Sequence, residues 1–425
     1  MRKRVLIVGA GPAGIGTALK LPEECTVLER TSLLGGLAST VVIDGAVFDF
    51  GGHSFHTPHQ EVRDLVFNSL DMFEQQRDAR CFAFGEFIPY PFQKNFKLLS
   101  NAQVVTECAQ GLETTTNGHN APHFEAFIKQ RFGAGISHHF MLPYNRKLWG
   151  RDLERLAADW TGERVAAPDG VQERFETKGG KRNPLQADTL VAYPAKGGYS
   201  EIYSALARQI PDLRLNESVV RIDPHRKIAV TKSGNSYQWS YLVSTLPIPI
   251  LLDLIEGSPE VLRRKAAQLD CLSLKLGLVV INHTVDTEIQ RVYSAEEQIP
   301  AHKTAINHNS SDYLRSLPHH GIMAEISIGP DKSLLREDVE QWIVDSLLEM
   351  NLIHDAREVR HVEVRDIPFA YPVPTADRDA IVGAIHQWLE DAGIYSVGRF
   401  GQWAYINSDE AIYRGMRLGE KLLAL

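Results

Sequence analysis

The stretch Asp49-Phe-Gly51-Gly52-His53-Ser-Phe-His56-Thr57 sets two imidazoles beside paired glycines. An imidazole on such a turn has a plain reading for His53, a turn residue satisfied by neighbouring carbonyls. His56 and His59 extend the cluster on a non-helical segment with no carboxylate or cysteine group beside them. That is a poor metal set, so no metal is expected. A second chemical signature lies upstream, in Gly9-Ala-Gly11-Pro12-Ala13-Gly14, followed by Glu29 and then by Arg30 through Gly35-Gly36-Leu37. Glycines there let a backbone turn tightly against a pyrophosphate, and Glu29 can accept from an adenosine ribose hydroxyl or cap a surface helix.

The elements around that motif follow the required order. Val5 to Val8 reads as a buried strand, Ile15 to Lys20 as helix, and Cys25 to Leu28 as a second strand ending at the acid. This is a Rossmann unit. The motif alone does not separate NAD from FAD. The second glycine pair, Gly35-Gly36, brings amides back towards the pyrophosphate and favours FAD.

The expected fold class is α/β: a Rossmann-type FAD-binding domain assembled from discontinuous segments, with a helical insertion and a mixed β-sheet substrate domain. Residues 1–80, 190–250 and 385–425 are assigned to the first, 96–160 to the helical part, and 81–95, 161–189 and 251–384 to the substrate sheet and connecting loops. Residues 60–80 are expected to be helical and 165–192 a connecting loop. His319 and His320 are expected in a loop, and His302 on the surface or in the core.

A chain of 425 residues exceeds one comfortable core. With 45 basic and 53 acidic side chains the formal charge is -8, which gives no reason to expect nucleic acid. The 4 cysteines are far apart and form no CxxC, as suits a reducing cytoplasm without disulfides. No run is long and apolar enough for stable membrane insertion. A homo-oligomer is compatible with the helical region.

Read together, "GAGPAG", "ER…GGLA", "DFGGH", "YPFQKN", "FGAGI…FMLPYNRKLWG", "WTGERVA", "YPAKGGY", "AYPVPTADRD" and "GRFGQWAYINSDEA" resemble the UDP-galactopyranose mutase family, especially its eukaryotic-type branch. They resemble more distantly the amine oxidase and protoporphyrinogen oxidase flavoproteins. The likeness implies non-covalent FAD, active when reduced, with NAD(P)H as external reductant. It implies that flavin N5 attacks the anomeric carbon of a nucleotide-linked hexose, that a flavin–sugar iminium forms, and that the ring recloses at a different size with no net redox change.

The resemblance also implies residue roles. His53, Gly398 and Arg399 would lie against the flavin, with Val220, Thr245, Asn407, Ser408 and Asp409 completing the cofactor site. Tyr90, Phe92, Gln93, Asn95, Tyr144, Asn145 and Trp160 would line the substrate cleft. Arg164, Tyr371 and Tyr405 would meet the diphosphate, the arginine as a rigid charged fork and the phenols as neutral donors. Each also has a plainer reading: surface ion pair, aromatic hinge, core tyrosine or helix cap.

One family feature is missing. A second diphosphate arginine is expected at the end of a strand, and Val279 stands there; the upstream substrate tyrosine also finds no match around Cys271 and Leu272. Lys275 or Arg291 could substitute. Mutase-like chemistry remains the preferred expectation. The alternative is an FAD-dependent oxidase, dehydrogenase or desaturase acting on a sugar, amine or cyclic metabolite, and a non-catalytic nucleotide-binding scaffold is the third.

Overall fold

The computed structural model describes residues 4–21, 23–116, 118, 120–163, 165–168, 189–329 and 336–425. Val5–Val8 lies at the centre of a five-stranded parallel sheet, between Cys25–Leu28 and Tyr241–Ser244, with Leu213–Arg214 and Ile394–Ser396 at the edges. Every residue of Val5–Val8 and Cys25–Leu28 is buried, as a sheet covered on both faces requires. Helix Pro12–Leu19 follows the first strand, with Pro12 in its first turn, where a missing N–H costs nothing. The last helix, Ser408–Ala424, crosses it with the two backbones in contact. A Cβ on Gly415 would sit 2.1 Å from the Ala13 carbonyl oxygen, and one on Gly16 would sit 2.4 Å from that of Ile412.

A second, seven-stranded sheet runs in the order Val359–Pro372, Cys271–Ile281, His320–Ile328, Lys303–Ile306, Arg291–Ser294, Ala79–Ala83, Glu86–Pro89. All its pairings are antiparallel except that of Arg291–Ser294 with Ala79–Ala83. Period two divides its side chains. Leu276, Leu278 and Val280 pack with Phe48, Met323 and Ala305 on the face covered by the hairpin strand Ala46–Asp49. Val279 and Ile281 pack with Val339, Ile343 and Leu347 of helix Arg336–Glu349 on the other. The site is built on the first of these faces.

Helices Ala102–Leu112, Phe124–Ile136 and Leu142–Trp149 enclose a separate apolar cluster containing Phe92, Phe124, Phe132 and Phe140. Asn101 caps the first, its side chain accepting from the Val104 N–H at 3.2 Å, and His123 caps the second through Nδ1.

The structure corrects three expectations. The helix expected over 60–80 is Gln60–Ser69 only; Met72–Gln76 and Ala79–Ala83 are strands. Met72–Gln76 pairs with Leu190–Pro194, a strand that begins at the end of the segment read as loop, so cross-strand pairing overrides the helix propensity of Glu74 and the glutamines. Residues 169–188 of that segment lie outside the described residues. His320 opens a strand, 1% exposed, and its ring stacks on His308 with centroids 3.9 Å apart. The cysteines are free thiols, three of them buried. Among the described residues no helix is long and apolar enough to cross a membrane, and no His/Cys/Asp/Glu group could hold a metal.

Candidate functional site

Two glycine turns converge above the helix Pro12–Leu19. A Cβ on Gly36 would lie 3.6 Å from Gly11 Cα, whereas one on Gly11 would meet nothing within 4 Å. The open side of Gly11 therefore faces a cradle. Behind it the packing is tight: Gly9 has φ +104°, Thr245 closes on it with its hydroxyl bonded to the Val8 carbonyl, and a Cβ on Gly14 would fall 1.9 Å from the Gly9 oxygen. Glu29, 8% exposed, accepts from the Ala10 N–H at 3.0 Å and from the Thr31 N–H and hydroxyl. A carboxylate has lone pairs beyond these three for a ribose hydroxyl. Ala13 is buried beneath the turn, Arg30 is exposed, and Leu37 is partly buried. Val220 sits at a register shift between the antiparallel strands Val219–Asp223 and Ile228–Thr231, 46% exposed. The cradle, the helix N-terminus and the buried acid fit an adenine dinucleotide.

At the other end, the turn Gly51-Gly52-His53 meets the seven-stranded sheet. His53 stacks on Tyr199 at 4.9 Å, and its buried Nδ1 has no partner among the described residues. Burial, reinforced by the charges of Lys303 and Arg399, lowers its pKa to about 3, so the ring is neutral. Arg399 donates to the Ile406 carbonyl at 2.9 and 2.7 Å and to the Ala370 carbonyl at 3.2 Å. Its guanidinium stands over the Tyr371 ring, 5.4 Å from the centroid. Gly398, at φ +88°, lies against Ala13. Asn407 precedes the last helix; Ser408 bonds the Tyr199 hydroxyl at 3.1 Å and Asp409 is buried. An orphaned imidazole nitrogen, a helix N-terminus and an arginine are groups whose chemistry fits the isoalloxazine end of FAD.

The facing wall is aromatic. Tyr371 meets Tyr405 edge-on at 5.3 Å, and Tyr405 in turn meets Trp149 and Trp160. Tyr90 and Tyr144 both lie against Tyr293, whose hydroxyl accepts from Arg77 at 2.6 Å. Four residues expected to line the cleft are tied up within the fold. Phe92 is fully buried and stacked on Phe140. Gln93 donates to the Ala166 carbonyl at 2.8 Å, Asn95 to that of Pro91, and Asn145 to that of Met141. Arg164 lies outside the described residues.

Val279 is fully buried on the sheet face turned away from the site, so that position delivers no side chain to the cleft. Lys275 pairs with Asp366 at 2.6 Å. Arg291, also buried, sits behind the glycine turn and donates to the His53 carbonyl at 2.6 Å.

Sequence reasoning missed the polar row on the sheet. Glu325, 1% exposed, accepts from Lys303 at 2.6 Å, from the Tyr371 hydroxyl at 3.1 Å and from the Gly52 N–H at 3.0 Å. Buried His302 lies 3.5 Å away. Burial opposes charge on both partners, yet each outweighs it for the other: Lys303 is held above the usual lysine range and Glu325 well below the carboxylate range. The signal was a lone acid in the apolar run Gly-Ile-Met-Ala-Glu325-Ile-Ser-Ile. Strand alternation puts it on the same face as Met323, the site face.

The model of the family described as flavin containing amine oxidoreductase matches residues 13–284, and the chain belongs to that family. Within it, the chain is similar to a structure of reduced UDP-galactopyranose mutase, with TM-score 0.90, 26% identity, and coverage of 100% of this chain and 94% of the other. It shares its fold with a CLA-producing fatty acid isomerase from P. acnes at TM-score 0.68 and 14% identity, covering 99% of this chain and 98% of that one. Cyclohexylamine oxidase from Brevibacterium oxydans IH-35A has the same fold at TM-score 0.69 and 16% identity, with 100% of both chains covered.

Proposed function

We propose that this chain is a UDP-galactopyranose mutase-like flavoenzyme that interconverts the pyranose and furanose forms of a nucleotide-linked sugar. FAD, bound non-covalently and reduced by an external donor such as NAD(P)H, would supply a nucleophilic nitrogen for the anomeric carbon. The residues supply the rest. Burial raises the Tyr371 pKa, with the Glu325 charge adding to it, so its phenol stays protonated as a hydrogen-bond donor. Tyr405 would donate to a departing diphosphate, Tyr371 would line the same wall with its one O–H given to Glu325, and Arg399, Lys303 and Arg164 would oppose the diphosphate charge. Trp149 and Trp160 would exclude water beside Tyr405. Neutral His53 presents a free ring nitrogen where the cofactor's charge changes.

The observation that carries this reading is the convergence of the Tyr371–Tyr405 pair and Arg399 with the His53 turn, in a chain similar over its whole length to a reduced mutase. The test incubates reduced and oxidised holoenzyme separately with UDP-galactopyranose and UDP-galactofuranose, with borohydride trapping of a flavin–sugar adduct. Isomerisation by the reduced form alone, over many turnovers, is expected. Activity of the oxidised form with stoichiometric flavin bleaching would defeat it.

One observation favours an FAD-dependent oxidoreductase acting on a sugar, amine or cyclic metabolite instead. The strand expected to offer a second arginine turns Val279 away from the site, and the cleft wall is largely aromatic. That reading predicts substrate-dependent bleaching without added reductant.

A further inference from the structure

Glu325 joins two parts of the site, an edge strand of its own seven-stranded sheet and the turn Gly51-Gly52-His53. Its Oε1 accepts from the Gly52 N–H, one residue before His53, and its Oε2 accepts from the Tyr371 hydroxyl. Lys303, its register partner on the neighbouring strand, closes the ion pair at 2.6 Å. A buried carboxylate alone would cost several kcal/mol in desolvation. Next to an ammonium it is an anionic acceptor, and hydrogen bonds to ions are roughly twice as strong as neutral ones.

We infer that Lys303 and Glu325 are positioning residues: Glu325 clamps the Tyr371 phenol and the Gly52–His53 turn into one unit, and Lys303 supplies the charge that lets a buried carboxylate do so. The pair is not needed for sheet formation, since the ladder between their strands is made by the backbone. Side chains of this kind are replaceable by apolar residues at little cost in stability, and often with a gain. A device that fixes the phenol relative to the imidazole is needed where a leaving group and a cofactor must be held in one geometry. The inference deepens the proposed function by assigning how its two walls keep register.

The groups facing Glu325 define what a pH experiment reads. Lys303 and His302 come from its neighbouring strand segment, Tyr371 from the far edge of the sheet, and Gly52 with His53 from the turn. Arg291, Tyr293, Arg399 and Tyr405 surround these groups. Removing Lys303 takes away the full positive charge that most opposes burial at Glu325 and leaves His302 and the donors of Tyr371 and Gly52, so its carboxyl takes up a proton at a higher pH than in the parent protein.

The test uses holoenzyme carrying Lys303→Met, and a second holoenzyme carrying Lys303→Met with Glu325→Leu, which strands no buried ion. Amide exchange of the 50–55 segment and the flavin absorption spectrum are followed across the neutral pH range without substrate. In Lys303→Met, a pH step in the flavin spectrum is expected that the parent lacks. In the double variant the step is absent, and the Gly52 amide exchanges at least tenfold faster while the Val5–Val8 strand keeps its protection. Parent-like exchange of Gly52 in the double variant overturns the inference, as does a Lys303→Met spectrum that tracks the parent at every pH. If Lys303→Met does not fold, the double variant decides alone. Neither readout involves a sugar, so failure of the mutase assay with altered exchange would sink the proposed function and leave the clamp standing.

Discussion

The His53 carbonyl accepts from Arg291 Nη2 at 2.6 Å across 238 residues of sequence. Arg291 also donates to the Gln290 carbonyl and is 3% exposed. A strand of the seven-stranded sheet thus holds the turn that carries the His53 imidazole.

Arg291→Leu leaves the His53 carbonyl buried without this donor. A loss of about 1–3 kcal/mol is expected, together with weaker FAD retention. Urea unfolding and flavin release on gel filtration measure the two. Full flavin occupancy at unchanged stability would show that the turn holds itself.

Two glycines three residues apart in sequence behave oppositely in space. Gly11 has φ −76° and an open side, so Gly11→Ala should leave apoprotein stability within about 0.5 kcal/mol. It should nevertheless weaken FAD binding tenfold or more, because the added methyl enters the cradle. Gly14→Ala should destabilise the apoprotein itself, its Cβ falling 1.9 Å from the Gly9 oxygen. Thermal melts of both apoproteins with FAD titrations make the comparison. Equal effects of the two changes on the apoprotein would refute the cradle.

Gly415→Ala adds a methyl where the last helix touches the first, 2.1 Å from the Ala13 oxygen. Helix propensity favours alanine by about 1 kcal/mol, but forced separation of packed elements costs roughly 1–3 kcal/mol. A net fall in melting temperature is expected, and a rise would mean the helices part freely.

Burial lowers the pKa of His53 to about 3, and that of His308 likewise, with His320 and Arg315 adding to the effect on His308. Each therefore stays neutral in the folded protein where the unfolded chain takes up a proton, below about 6.5. The sign follows: full stability above about pH 6.5, then a loss of up to about 1.4 kcal/mol per pH unit per histidine as pH falls towards the folded value. His308→Phe keeps a ring against His320 and should flatten the acid limb of a urea-denaturation series. An unchanged slope would remove His308 from the account.

Much of the nucleotide end was legible as text. The run Val5–Val8, the glycine turn, Glu29 and the second glycine pair are local, and their chemistry depends on spacing within one connected βαβ unit. The helical insertion was also legible from periodicity. The strand Met72–Gln76 was not, because its partner, Leu190–Pro194, lies over a hundred residues away by number and outbids local propensity.

The sequence by itself determined which side chains were available: the phenols of Tyr371 and Tyr405, the imidazole of His53, the guanidinium of Arg399, and the want of an arginine at 279. Only the tertiary structure decided what they meet. Lys303 and Glu325 become partners through an antiparallel register, and Gly52 meets Glu325 only where its turn packs on the seven-stranded sheet. Alternation along a strand fixes that a side chain lies on one of two faces, but not which face looks into the site. That choice belongs to the packing of the sheet against helix Arg336–Glu349 on one side and the hairpin strand Ala46–Asp49 on the other, a contact between segments that no local pattern encodes.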